Sequence, residues 1–524
     1  MRYLSENKRE DMRMKKRTAA RSMAALMGAA MVLTACGGGN TTAPTTGASS
    51  GGETQTASES AESGKITKTD IVVGQASDIV TLDPAGQQDT TSGVLMKHAY
   101  STLLDVDNEG KVVPDLAESY EMKSDTEYVF KLREDACFWD GTPVTAQDVK
   151  FSLDRAKGMP KTKSNTSKIE EVTVNGDHEV TIKLTEPYAA FKTIVTQHNL
   201  SILSEKAVTE AGDSYGDVDN LLGSGPFKVT EWVRNDNYWG EMPIATSITC
   251  RVIPEGSART IALEAGEIDV VWSVDPTDCA NVESNPDVKL LSQPSTGIDY
   301  VGMNTQKEKF SDKRVRQAIN YALDKQTFVD TIIEGRGLVA NSYINAAIPG
   351  WTDEVEAYPY DPEKAKELLA EAGYPDGFEC SIFVNGDLRT RSAQILQAQL
   401  ADVGIKVDIS TYEWGALLDT LNAGEHEMFL LGWSNTSFDP DGSTYQLFYS
   451  GNHGATGNRA FFSNDKVDEL ILSAQRESEE SKRMELYKEL QFVLHEESPW
   501  CPLYYKENNV GVRSDLCRRT ALSW

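Results

Sequence analysis

The side chains that most often carry catalysis or hold metals are scattered here. His98, His178, His198, His426, His453 and His495 each stand alone, with no H-E-x-x-H pair and no clustered His/Cys set, so no local metal site is expected. Gly223-Ser224-Gly225 is too short to cradle a phosphate, and the chain has neither a G-x-x-x-x-G-K-[ST] loop nor a G-x-S-x-G elbow. The adjacent acids Glu479-Glu480 and Glu496-Glu497 read as helix-surface charges, not as an acid/base pair. Cys137, Cys250, Cys279, Cys380, Cys501 and Cys517 are far apart and read as buried free thiols. The chemistry left is non-covalent binding, with no catalytic residue, no metal and no bound cofactor expected.

Binding in a cleft needs more than one rigid body, and the totals allow it. With 524 residues the chain is too long for one core, so two or more domains are expected. A formal net charge of -29, spread along the chain, excludes a nucleic-acid partner, because phosphate binding needs a basic surface. No apolar run after residue 36 approaches the roughly 20 residues of a membrane helix.

The first 35 residues are different. Arg13, Lys15, Lys16, Arg17 and Arg21 precede the small, mostly apolar run Met23 to Ala35, the pattern of a secretory signal. The run closes in Leu33-Thr34-Ala35-Cys36, which resembles the lipobox of bacterial lipoproteins, and that resemblance implies a diacylglyceryl group on the Cys36 thiol. From Gly37 to about Gly64 almost nothing large and apolar is available to bury, so a flexible tether is expected over 36–66. A lipid and a leash would hold a soluble body at a membrane without spanning it.

The body reads as α/β. Apolar side chains recur at period two in Tyr128–Leu132 and Val180–Leu184, as half-buried strands require. Val315, Ala318, Ile319, Ala322 and Leu323 share a helical face, and Asp361-Pro362 opens a helix ending at Gly373. A strand at Glu379–Val384, a helix over Ser392–Val403 and a strand at Ile405–Ile409 form a βαβ unit, followed by an apolar strand at Met428–Leu431. A last helix, about Glu480 to His495, carries Met484, Tyr487, Leu490 and Leu494 on one stripe. No fixed period recurs, which excludes a repeat array.

Several long stretches then resemble one family. Tyr100 to Leu153, "YSTLLDVDNEGKVVPDLAESYEMKSDTEYVFKLREDACFWDGTPVTAQDVKFSL", is similar to the signature region of the extracellular solute-binding proteins that feed peptide and nickel ABC importers. Gly223–Trp232, Ala258–Val271, Asp312–Lys325, Tyr360–Phe378 and Leu430–Asp441 follow the family in order and spacing. The resemblance implies a two-lobed periplasmic-binding-protein-like α/β fold with mixed sheets, a hinge and a ligand cleft between the lobes. Signal peptide 1–35 and linker 36–66 would precede lobe one over 67–298, with an extra subdomain at about 100–221. Lobe two would span 299–485, and 486–524 would return to lobe one. Within the signature, Asp140-Gly141-Thr142-Pro143 reads as a turn into a helix starting near Thr145, and Asp115, Glu118 and Asp125 read as solvated surface.

The family's cleft residues map onto Gly432-Trp433, where the indole would flank the ligand and the glycine would allow close approach. Ser434, Asn435 and Thr436 continue that wall, and Tyr100, Asn385 and Arg391 are the remaining ligand-side candidates, with Arg389 nearby. Peptide binders of the family usually place an aspartate where this chain has Thr436, and it would pair with the ligand's α-amino group. A hydroxyl accepts a hydrogen bond but carries no charge. The passage Trp232 to Tyr238 is shorter than usual and the ending around Cys517 is atypical, so unpaired strand edges are expected in lobe one. The expected protein is a monomeric, lipid-anchored, extracytoplasmic receptor for peptides or peptide-like solutes that delivers them to a permease. Glutathione, a nickel chelate, or a non-transport surface role are the alternatives.

Overall fold

A computed structural model describes residues 68–516, apart from 80, 88, 108, 109, 230 and 231, all within the unit Gly64–Trp524. The expected signal, Cys36, the linker and Cys517 lie outside the described residues. The architecture is two-lobed and α/β, and both lobes hang on one mixed sheet of eleven strands.

Strand β1 (Asp70–Gln75) lies in lobe one. It is followed by the short pair β2 (Leu104–Val106) and β3 (Val112–Pro114) and by a separate four-stranded antiparallel sheet, ordered β4-β5-β7-β6. These are β4 (Ala117–Ser124), β5 (Glu127–Leu132), β6 (Ile169–Gly176) and β7 (Glu179–Leu184). The period-two residues Tyr128, Phe130 and Leu132 of β5 and Val180, Ile182 and Leu184 of β7 all point into one core, packed under the helix Ala146–Lys157. That helix begins where the sequence places it: Thr145 caps it, and Thr145 and Asp148 each bond the other's backbone N–H. Asp115 departs from expectation. It is half-buried and its carboxylate accepts the Thr102 N–H at 2.8 Å, so it ties this subdomain's chain entry together instead of facing water.

Lobe one continues through β8 (Phe227–Lys228), β9 (Val233–Arg234), β10 (Ser247–Val252) and β11 (Val270–Val271). The short passage after Trp232 becomes the two-residue β9, which pairs with β8 and β10 and leaves only the two-residue β8 at the sheet's edge. The cost of the shortening is thus a small edge. Gly223 and Gly225 also gain a role. A Cβ at either would press within 3 Å of the Ala99 carbonyl group, so the pair lets two backbones touch.

Two long strands join the lobes: β12 (Val288–Met303) and the final β17 (Trp500–Arg513). Their antiparallel pairing breaks between Pro294 and Ile298, opposite Lys506, and this is the crossover. Lobe two lies between them. It contains β13 (Gly337–Val339), β14 (Phe378–Val384), β15 (Ile405–Thr411) and β16 (Met428–Ser434). The βαβ unit forms as expected, with β14 and β15 parallel around the helix Gly386–Ala401. The helix Pro362–Glu371 has Asp361 as its cap and Gly373 at φ +94, matching its sequence signals. The helix Glu480–Glu497 packs Tyr487, Leu490 and Leu494 against Tyr343, Ile344 and Leu417 of lobe two. The chain therefore returns to lobe one near Lys506 and not at 486, because an apolar helical stripe does not say which sheet it covers. β17 then runs complete to Arg513 between β12 and β11.

Candidate functional site

Strand β16 explains how lobe two builds its wall. Met428 to Leu431 are fully buried, and at Gly432 the strand emerges toward the crossover. Gly432 lies opposite Asp299 of β12, and a Cβ on Gly432 would approach the Asp299 carboxylate oxygens to 3.1 and 3.2 Å. The missing side chain makes room for a buried acid. Trp433 is half-buried against the lobe-two core, and its indole N–H donates to the Gly442 carbonyl at 3.1 Å. With its one donor engaged, the indole has only an apolar face to offer. Ser434 is half-buried and faces Gly297 across the register.

The loop that follows is internally saturated. Asn435, 2% exposed, accepts from the Ser437 backbone and hydroxyl and donates to the Asp439 carbonyl and Ser443 Oγ. It shapes the loop and has nothing left for a ligand. Asp439 forms a two-point ion pair with Arg483 at 2.5 and 2.9 Å, which fixes the turn before Pro440. Thr436 alone is exposed, and its hydroxyl donates to Gln197 Oε1 of the subdomain at 3.0 Å.

A charged corner stands against Gly432, on the face of β16 opposite Trp433. Asp299 is 2% exposed, with Lys506 Nζ 2.9 Å from Oδ2 as an ion pair outside hydrogen-bond alignment and Arg389 3.9 Å from Oδ1. Arg389 donates to Asn385 Oδ1 at 2.8 Å, yet its buried Nε has no acceptor. Arg391 leans across the lobes to Asp275, 3.4 Å away. Arg389 and Arg391 belong to the first turns of the Gly386–Ala401 helix, which starts six residues before the expected Ser392. Asn385-Gly386 reads as a turn in sequence; here Gly386, at φ +71, opens the helix directly. Two cations against one acid leave the Asp299, Arg389 and Lys506 cluster with a surplus positive charge, the polarity that suits a carboxylate.

The structure thus brings Gly432 against Asp299, and Asp299 toward Arg389 and Asn385, leaves Trp433 on the opposite face of β16, and carries Arg391 and Thr436 to contacts with lobe one. Tyr100 is elsewhere. It is 3% exposed, packs near Trp139, and its hydroxyl donates to the Leu82 carbonyl at 3.2 Å, so it belongs to the lobe-one interior. Sequence reading missed Asp299, Lys506 and Gln197, whose partners lie 90 to 239 residues away with no local pattern to mark them. Among the described residues, no three His, Cys, Asp or Glu side chains are grouped to hold a metal, and no helix is long and apolar enough to cross a membrane.

Residues 111–455 match the middle region of the bacterial extracellular solute-binding proteins, family 5. This chain belongs to that family. Family 5 proteins bind solutes and are not enzymes, and they serve importers of the peptide, glutathione and nickel class. The chain is 32% identical over 461 residues to the glutathione-binding protein GsiB of Escherichia coli (strain K12), covering 83% of this chain and 88% of that one. The family fold is equally clear in solved structures. The periplasmic binding protein DppA of Helicobacter pylori, in complex with the peptide STSA, superposes with TM-score 0.81 and 29% identity over 85% of this chain and 94% of that one. The oligopeptide-binding protein AppA of Bacillus subtilis, in complex with a nonapeptide, gives TM-score 0.77 and 26% identity over 85% and 94%.

Proposed function

We propose that this chain is a lipid-anchored receptor that captures a small peptide or peptide-like solute bearing a free carboxylate and passes it to an ABC permease. The observation that carries the reading is the charged corner at the crossover, where the buried Arg389 Nε lacks an acceptor. An apolar face orients the body of the solute, and a guanidinium with unused donors fixes its end. Thr436 brings no charge to the opposite side, so a free α-amine is not the anchor there. Glutathione, which carries two carboxylates and is named for the relative GsiB, is the first ligand to try. The membrane attachment rests on Cys36 within Leu33-Thr34-Ala35-Cys36.

Calorimetric titration of a soluble form beginning at Gly37 with glutathione, di- to hexapeptides and chelated nickel tests the solute class. Saturable binding of glutathione or a short peptide, lost on amidation of its carboxylates, is the expected result; binding only of chelated nickel would replace the reading. Mass spectrometry of the membrane-extracted protein should find a diacylglyceryl thioether on Cys36, absent after Cys36→Ser.

A further inference from the structure

A second line of contacts between the lobes runs outside the proposed ligand site and ends at Trp433. Tyr188 packs its ring in the subdomain core, while its hydroxyl donates to Asp441 Oδ2 of lobe two at 2.7 Å, across 253 residues of sequence. Asp441 is 1% exposed, and its other oxygen accepts from Gln475 Nε2 at 2.9 Å and Tyr487 at 3.3 Å, both within lobe two. The Ala189 N–H reinforces the joint by donating to the Gln475 carbonyl at 2.7 Å. Asp441 opens the helix Asp441–Phe448, and the next residue, Gly442, supplies the carbonyl that holds the Trp433 indole.

A continuous path therefore runs from Tyr188 through Asp441 and Gly442 to Trp433. A buried carboxylate that loses a donor must recover one from water or shift, because an unmet acceptor of this kind is costly. When the subdomain and lobe two part, Asp441 loses Tyr188 and the start of the helix loses a fixed point. When they meet, that point is restored, and with it the carbonyl that sets the indole.

We infer that Tyr188 is a positioning residue that couples the arrival of the subdomain against lobe two to the orientation of Trp433. The inference rests on the proposed reading only in taking Trp433 as a ligand wall; the path itself needs no ligand. It makes the wall complete only when the lobes are together.

The test is fluorine NMR of the full chain labelled with 5-fluorotryptophan, without ligand, comparing wild type with Tyr188→Phe. The Trp433 resonance is identified by its loss in Trp433→Phe. The phenylalanine keeps the ring in the core and removes only the hydroxyl, and a thermal melt checks that the fold persists. The expected result is a Trp433 resonance that moves or broadens while that of Trp139, in lobe one, stays in place. An unchanged Trp433 resonance, even with a lowered melting midpoint, would show a merely structural hydrogen bond and overturn the coupling. A second arm titrates glutathione. Where wild type binds it, Tyr188→Phe should weaken affinity about tenfold, the scale of one hydrogen bond to a charged group. Undiminished affinity would count against the coupling. If wild type does not bind glutathione, the ligand assignment fails while the fluorine comparison still decides the coupling.

Discussion

The loop after Trp433 and the corner around Asp299 flank the same glycine, yet they use their polar atoms in opposite ways. In the loop, Asn435, Ser437 and Asp439 satisfy one another and Arg483, so the loop is rigid and indifferent to what lies beside it. In the corner, one acid faces two cations and Arg389 Nε is left without an acceptor. A saturated polar network sets shape, and an unsaturated one reads chemistry. On the proposed function the cleft divides its work: form from the loop, charge from the corner.

The strongest way to break this comparison is to remove the loop's buried pair. Asp439→Ala strands the Arg483 guanidinium and should lower stability in urea by about 3 to 5 kcal/mol. An unchanged midpoint would mean that the pair does not hold the loop. Trp433→Ala should weaken solute binding by about 2 to 3 kcal/mol in calorimetry, as loss of an aromatic anchor does, and lower the melting midpoint less than Asp439→Ala does, since the ring is only half-buried. Arg389→Gln sharpens the division. It should cost about tenfold for a solute with free carboxylates and little for the same solute amidated. Equal losses for both would remove the charge-reading role.

Thr436→Val should change affinity by no more than about threefold, since one exposed neutral hydrogen bond is lost. A loss rivalling that of Arg389→Gln would move the anchor to the Thr436 side.

The smallest effect is a slope. Burial raises the Asp441 carboxyl to about 6, with Asp439 adding to the rise and Tyr188, Arg483 and Gln475 opposing it, and burial raises Asp115 to about 7. Folding thus takes up protons at these two groups, and the stability they contribute is full below the ordinary carboxylate range and lost as pH rises through 6 to 7. Burial lowers His98, His198 and His426 to about 4. Their contribution is present above about 6.5 and is lost as pH falls toward 4. Urea midpoints should rise from pH 8 to about 6.5 and fall below about 5; a steady fall from pH 8 downward would contradict the buried acids.

How far the sequence carried these conclusions depends on the range of each signal. The helix at Pro362 has its cap, proline and glycine within thirteen residues, and the strands of the subdomain alternate within five, so both are legible locally. Gly432-Trp433 stands out through a motif that resembles the family's, and the structure places the pair near the end of β16. The corner was not, because Asp299 and Lys506 meet only where two strands cross, and nothing beside either residue marks the other. The Gly386–Ala401 helix starts earlier than the expected Ser392 because Gly386, at φ +71, makes the turn in one residue and the helix follows directly. Tyr100 erred the other way: a residue leading a signature stretch was placed at the cleft, whereas its hydroxyl is already engaged inside lobe one.

The position of β17 has a consequence for how the chain is made. The strand is the last along the chain among those described, yet it inserts between β12 and β11 in the middle of the large sheet. Lobe two is complete once the chain reaches Tyr505, whose segment pairs with the far half of β12; lobe one still has a gap at its centre. A ribosome-bound chain stopped there would hold one finished half and one open half, and residues 506–513 would close the sheet like the last stave of a barrel.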